Sequence, residues 1–421
     1  MNRSFDDRRV FSGHAARVSP GSWFPGSVLK KGTVPAGNTD LFPENRLLER
    51  DSPLFQRPPR AGRSLLRLLI WPVLLAMLAA ETARADRLVL VAGGGQRGDG
   101  APASEARLHN PFGVDFDKTG AMYIVELEGG HVHRVAPDQT ISTIAGSGAK
   151  ADAGDGGPAA NAVFNGMHSL AVAPTGEIYI ADTWNNRVRL IDPRTGTIAP
   201  FAGTGDKGYS GDDGPALKST CGGIYCVAFA PDFRTLYLVD LDNRRIRAVD
   251  MQSQVIRLVA GNGARGVPPD GAVAREAPLV DPRAVAADGK GNVYVLERGG
   301  HALRIVDRDG KIRTVAGTGQ PGPAGDDEPA LSATLRGPKH LCLDREGNVI
   351  IADTDNHAIR KYVPATGRLV RIAGTGKKGD AGLGGPPGQA GLNQPHGVYV
   401  NQDGVLYIVD SWNDRVLKVV K

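Results

Sequence analysis

Residues 170–205 read LAVAPTGEIYIADTWNNRVRLIDPRTGTIAPFAGTG, and most of the chain is further copies of this stretch. It holds four short apolar runs separated by turn residues. Leu170, Ala171 and Val172 lead to Ala173-Pro174. Thr175-Gly176 turns the chain into an Ile- and Tyr-rich run ending at Ala181. Asp182 to Asn186 turns it again into the run 188–191, and Pro193 to Gly196 turns it a third time into 197–202. Four such strands with tight turns form one antiparallel meander. A single sheet of this kind cannot bury both of its apolar faces, so the copies must stack.

The residue matching Leu170 recurs as Val114, Val227, Val285, Leu341 and Val398, at spacings of 56 to 58 residues. A closing Ala-Gly-x-Gly-like signature starts at Ala92, Ala145, Ala202, Ala260, Ala316 and Ala373. Starts and ends are out of phase: the first signature precedes every full repeat, and the last repeat stops without one. Ring closure accounts for this. Strand 87–92 then supplies the outer edge of a blade whose other three strands run from 396 to 420. The expected fold is all-β, a six-bladed β-propeller of four-stranded antiparallel blades over residues 86–421. A closed ring leaves only short, protected edges. An open solenoid would need polar capping repeats, and the sequence has none.

The formal net charge of +5 misleads. Residues 1–85 carry 13 Lys and Arg against 7 Asp and Glu, leaving 37 basic and 38 acidic residues for the repeats. A near-neutral ring gives no electrostatic support to nucleic-acid binding. Residues 1–63 are rich in Pro, Arg, Gly and Ser without periodicity and are expected to be disordered, or to precede the true translation start. Residues 64–85 contain thirteen uncharged residues, LLIWPVLLAMLAA, after Arg60, Arg63 and Arg67 and before Ala83-Arg84-Ala85. That order describes a signal peptide, or alternatively a membrane anchor through 65–80. The expected location is extracytoplasmic: periplasmic, secreted or membrane-anchored. Cys221, Cys226 and Cys342 leave two readings open, a Cys221–Cys226 disulfide or three small buried side chains.

The segments PFGVDFDKTGAMYIVELEGGHVHRV from Pro111 and PHGVYVNQDGVLYIVDSWNDRVLKV from Pro395 resemble the NHL repeat. The resemblance implies a six-bladed propeller whose innermost strands line a central channel. It also implies a monomeric binding platform for a protein, peptide or small molecule. The loops GDGGPA (154–159) and GDDGPA (211–216) are similar to those of a bacterial subset of NHL proteins. Asp182/Asn185, Asp240/Asn243, Asp353/Asn356 and Asp410/Asn413 read as turn-fixing pairs, three of them followed by Arg187, Arg245 and Arg415. Repeats one and four instead carry Glu126 to His131 and Glu297 to His301, which reads as an old three-blade duplication or as two matched subsites.

The residues entering each innermost strand share a face with the long loops between blades. They include Asn110, His168, Tyr225, Arg283, His340 and His396, and together they form the candidate ligand-binding rim. His168, His340 and His396 are also a candidate zinc set, since zinc takes imidazole nitrogens. The segments around His168 and His396 are similar to the His-bearing segments of the peptidyl-hydroxyglycine α-amidating lyase propeller. That resemblance implies a zinc-dependent lyase or hydrolase as the alternative to a binding scaffold. His340 stands one position late relative to the other two.

Overall fold

The structure, a computed structural model, describes residues 86–421. The expectations for residues 1–63 and 64–85 lie outside the described residues. Six antiparallel sheets follow one another, three of four strands and three of five. The strand order within each blade is the meander expected from the turns, with the innermost strands at Pro111–Phe116, Met167–Val172, Ile224–Phe229, Pro282–Ala287, His340–Leu343 and Gly397–Val400. The fifth strand is a two-residue addition at the outer edge, as at Gly214–Pro215, contributed by the loop that arrives from the preceding blade.

Ring closure follows the expected pairing. Strand β1 (Arg87–Gly93) runs antiparallel to the last strand, Arg87 opposite Val420 and Gly93 opposite Arg415, with a bulge between Leu90 and Ala92. The first and last segments of the repeat region thus share one sheet.

The Ala-Gly signature has a steric origin. Its first glycine has a positive φ in every blade: 84° at Gly93, 94° at Gly146, 89° at Gly203, 92° at Gly261, 91° at Gly317 and 85° at Gly374. A β-carbon at Gly146 would lie 2.1 Å from the Gly130 carbonyl oxygen. The chain leaves each blade through a conformation that only glycine adopts without strain.

The apolar cores sit between neighbouring blades, where one sheet face packs on the next. Buried arginines add a polar tie that the turn pairs did not reveal. Arg189, Arg247, Arg304 and Arg360 occupy one equivalent position on the third strand and are at most 2 % exposed, so their charges need partners. Arg189 bonds Asp155 at 2.7 Å and donates to the Val163 and Ala153 carbonyls at 2.9 Å each. Arg247 repeats this with Asp212 and the Thr220 and Ser210 carbonyls. Of the arginines expected to fix turns, only Arg415 bonds its own aspartate, Asp410, at 2.8 Å. Arg187 reaches Asp155 instead, and Arg245 bonds the Asn243 and Asn262 carbonyls.

Candidate functional site

The innermost strands begin on the loop face, and four of them begin with a β-bulge. In blade two Met167 pairs with Asp182 and Ser169 with Ala181, so His168 is the extra residue. Phe112 and Arg283 are the extra residues of blades one and four, and the register also shifts between Ile224 and Val227 in blade three. A bulge re-aims its side chain. Counting from the six repeat markers, the equivalent positions are Phe112, His168, Tyr225, Arg283, Lys339 and His396.

These side chains converge and pack on one another. The Phe112 and His396 rings are 4.1 Å apart, and those of His168 and Tyr225 are 4.2 Å apart. The His396 and Tyr225 side chains meet through Nε2 and the hydroxyl at 2.8 Å. The Arg283 guanidinium lies 4.6 Å from the Tyr225 ring centre and pairs with Asp281 at 3.1 Å. Phe112, His168, Tyr225 and His396 are buried, His396 completely. The rim is therefore a plug that closes the loop-face mouth. Trp184 and Trp412 flank it, 5.4 Å from His168 and 5.5 Å from Phe112.

Burial holds the plug imidazoles neutral. It pushes His168 down to about 3, with the Arg283 and Lys339 charges adding to the effect. It lowers His396 well below the ordinary imidazole range and His340 to about 4. The His396 tautomer follows: Nδ1–H donates to the Phe112 carbonyl at 3.2 Å, so Nε2 accepts from the Tyr225 hydroxyl. Both His396 nitrogens are thus committed to protein partners. Its ring centre lies 6.0 Å from that of His168 and 6.3 Å from that of His340. Among the described residues, the one group of three His, Cys, Asp or Glu whose ligand atoms lie within 4.8 Å of one another is Glu126, His131 and His133.

The remaining rim candidates separate. Asn110 has a φ of 48°, and its side-chain amide donates to the Ser411 carbonyl at 3.2 Å. It ties blade one to blade six. His340, one position late, sits lower and lines the channel itself.

Below the plug the channel holds a cavity of about 420 Å³. The residue after each marker explains it: Asp115, Ala171, Ala228, Ala286, Cys342 and Tyr399 all line the space, and four of the six are small. Exposed Lys118, Pro174, Phe233 and Gln402, in the turns after the innermost strands, line its other end. Asp115 is the cavity's carboxylate. It accepts from the Val172 and Phe116 amides at 2.7 Å each, and the Tyr399 hydroxyl also bonds it. Burial nevertheless raises it to about 6. Cys221 and Cys226 are buried free thiols, and Cys342 is a half-buried one.

A family model described as NHL repeat matches residues 164–189, 335–362 and 392–419. Among solved structures, an auxiliary nutrient binding protein from Bacteroides ovatus ATCC 8483 superposes with a TM-score of 0.59 at 16% identity, covering 80% of this chain and 76% of that one. One from Bacteroides thetaiotaomicron VPI-5482 gives 0.58 at 14% identity over the same shares. Among curated proteins, NHL repeat-containing protein 2 of Gallus gallus is 25% identical over 343 residues, 74% of this chain and 46% of that protein. Protein SUPPRESSOR OF QUENCHING 1, chloroplastic, of Arabidopsis thaliana is 28% identical over 271 residues, 61% of this chain and 25% of that protein. The chain thus spans between a quarter and just under half of these two relatives. Its fold is a six-bladed β-propeller, and NHL repeats are matched in three stretches of it.

Proposed function

We propose that this NHL-repeat propeller is an exported binding protein that takes a small, largely apolar ligand into its central channel. The carrying observation is the cavity of about 420 Å³ between the plug and the turn face. It has the expected make-up of a ligand site, an apolar wall with few polar groups. Asp115, Tyr399 and His340 are those groups inside the channel, with Lys118 and Gln402 at its turn-face end, and His340 brings the rim into the site. The Bacteroides structures are described as auxiliary nutrient binding proteins, a role of the same kind. The reading as a zinc-dependent lyase or hydrolase draws no support from His168, His340 and His396, because His396 has no nitrogen to offer. Export rests on residues 64–85, and N-terminal sequencing of native protein tests it: a mature start near Asp86 is expected, and a soluble cytoplasmic species starting at Met1 refutes it.

The loop face favours a second contact, with a protein or peptide. Trp184 and Trp412 are 45% and 41% exposed beside the plug, enough to serve as aromatic anchors. Arg244, Arg265 and Arg283 line a cleft of about 250 Å³ with Asp242 and Asp281.

A neutral fluorescent probe, N-phenyl-1-naphthylamine, separates the two surfaces. Its emission is expected to rise on saturable binding to the parent. Ala286→Phe fills the channel and abolishes the rise, while Trp184→Ala combined with Trp412→Ala leaves it intact. Undiminished binding by Ala286→Phe overturns the channel reading.

A further inference from the structure

Blade one breaks the arginine rule. Where blades two to five place a buried guanidinium, blade one places His133, which pairs in register with Thr143 as Arg304 does with Thr314. Glu126 stands where blade two has Asp182, and His131 stands opposite it as Arg187 stands opposite Asp182. An imidazole is shorter than an arginine side chain and fills less of the slot. A cavity of about 210 Å³ remains, bounded by Glu126, His131, His133, Asp99, His109 and Arg97.

The proton positions in that cavity are determined by its neighbours. The Thr143 hydroxyl donates to Asp99 Oδ1 at 3.0 Å, so it accepts from His133 Nδ1–H at 3.1 Å. In the neutral ring this leaves the lone pair on Nε2. That nitrogen is buried and makes no hydrogen bond, yet it lies 3.2 Å from Glu126 Oε1. In that form of the ring two acceptors face each other across a gap that a cation can fill. Glu126 is 1% exposed, and its other oxygen lies 3.2 Å from His131 Nδ1. The His109 amide orients the carboxylate at 2.6 Å, and a β-carbon at Gly129 would strike it at 1.8 Å.

We propose that Glu126, His131 and His133 form a binding site for a divalent transition-metal ion of the zinc class. Ligands held 2.0–2.1 Å from a tetrahedral ion stand roughly 3.3 Å apart; each imidazole lies 3.2 Å from one of the two Glu126 oxygens, and one ligand atom from each residue falls within 4.8 Å of the others. The His133–Thr143–Asp99 chain is the outer support that a metal-bound imidazole needs, fixing its tautomer and direction. His131 is partly exposed and marks the entry path; the set leaves a fourth position for water or a ligand oxygen. Blade four does not duplicate the site. Glu297 pairs there with Ala302 and bonds Arg304 at 2.7 Å, while His301 corresponds to Gly130.

The test is calorimetric titration of Zn²⁺ into chelator-treated, untagged protein, with Co²⁺ absorption as a second readout. One equivalent is expected to bind with a micromolar or tighter Kd and to give tetrahedral Co²⁺ bands. His133→Arg installs the side chain that four other blades carry and is expected to fold while losing at least 100-fold in affinity. His131→Gln, at a partly exposed position, is expected to lose at least tenfold and covers the case in which His133→Arg does not fold. His340→Gln keeps the site. The proposal is overturned if the parent binds no more tightly than millimolar, if both blade-one variants bind as the parent does, or if His340→Gln alone removes the metal.

Discussion

The two ends of the channel are made by the same six strands and finish in opposite ways. At the loop face, the residue two before each marker is an aromatic, an imidazole or a cation, and four of the strands set it on or beside a bulge. These side chains meet on the axis and close the mouth. Toward the turn face, the residue after each marker is alanine or cysteine in four blades, and the channel stays hollow. The markers themselves hardly vary, being Val or Leu throughout. The repeat therefore specifies a ring, and positions one and two residues away decide which end is solid.

The largest test of this contrast removes the solid end. His168→Ala together with His396→Ala deletes two buried rings and removes the His396 partner of both the Tyr225 hydroxyl and the Phe112 carbonyl. Lost packing and orphaned polar groups add, so a loss of roughly 5 kcal/mol is expected in urea unfolding. A loss below about 1 kcal/mol would mean that the rim is an open pocket wall and not a plug.

Acidity should act on the two ends with opposite sign. His168 is lowered from 6.5 to about 3, burial being the main cause. The unfolded chain takes up that proton first, so the stability it contributes is complete above pH 6.5 and is lost as pH falls toward 3. Asp115 is raised from 3.8 to about 6, again chiefly by burial. Its contribution is present below 3.8 and is lost as pH rises through 6. At about 1.4 kcal/mol per pH unit, each should change by roughly 2–3 kcal/mol between pH 4 and pH 6.5. Urea unfolding at pH 4.5 and 7.5 checks this. The parent's advantage over His168→Gln should shrink on acidification, and its advantage over Asp115→Asn should grow. Equal pH slopes for the two variants would erase the distinction.

The ring was legible because its signals repeat: six markers and six glycine exits, offset so that strand 87–92 precedes the first marker and the last marker has no exit after it. The convergence of His168, Tyr225, Arg283 and His396 was legible from their shared offset. Their mutual burial was not, because a bulge depends on pairing register and leaves no mark in apolar periodicity. Asn110 reads as a rim residue by position, yet its positive φ and its bond to Ser411 make it a blade tie. The arginine slots were hidden because Arg187 and Arg189, two apart, share one face of the strand and both reach Asp155, and only the fold shows that Arg189 is the one fully enclosed. The apparent likeness of blades one and four fails by a single residue. Glu126 and His131 are five apart, Glu297 and His301 four apart, and that difference moves His301 into the turn. The hollow end had a signal that was open to counting, the run of small residues just after each marker.

The smallest expected effect concerns one thiol. Cys342 and Cys226 both line the cavity, but Cys342 is half-buried, whereas Cys221 and Cys226 are at most 2 % exposed and burial pushes both of those thiols up, to about 12 and about 11. Burial raises Cys342 as well, so little thiolate forms at neutral pH. Cys342→Ser is therefore expected to change stability by less than about 1 kcal/mol, since the site is half-buried and the exchange nearly conserves volume. Access should still distinguish this thiol from the other two. In native protein at pH 8, iodoacetamide is expected to label Cys342 alone, more slowly than a free thiol. N-Phenyl-1-naphthylamine should slow the reaction further by filling the same space, and Ala286→Phe should do so permanently. Opening the plug should not accelerate the labelling, because the reagent already enters from the turn face. If His168→Ala with His396→Ala speeds it severalfold while the protein stays folded, the loop face is the working entrance and the assignment of the two ends must be reversed.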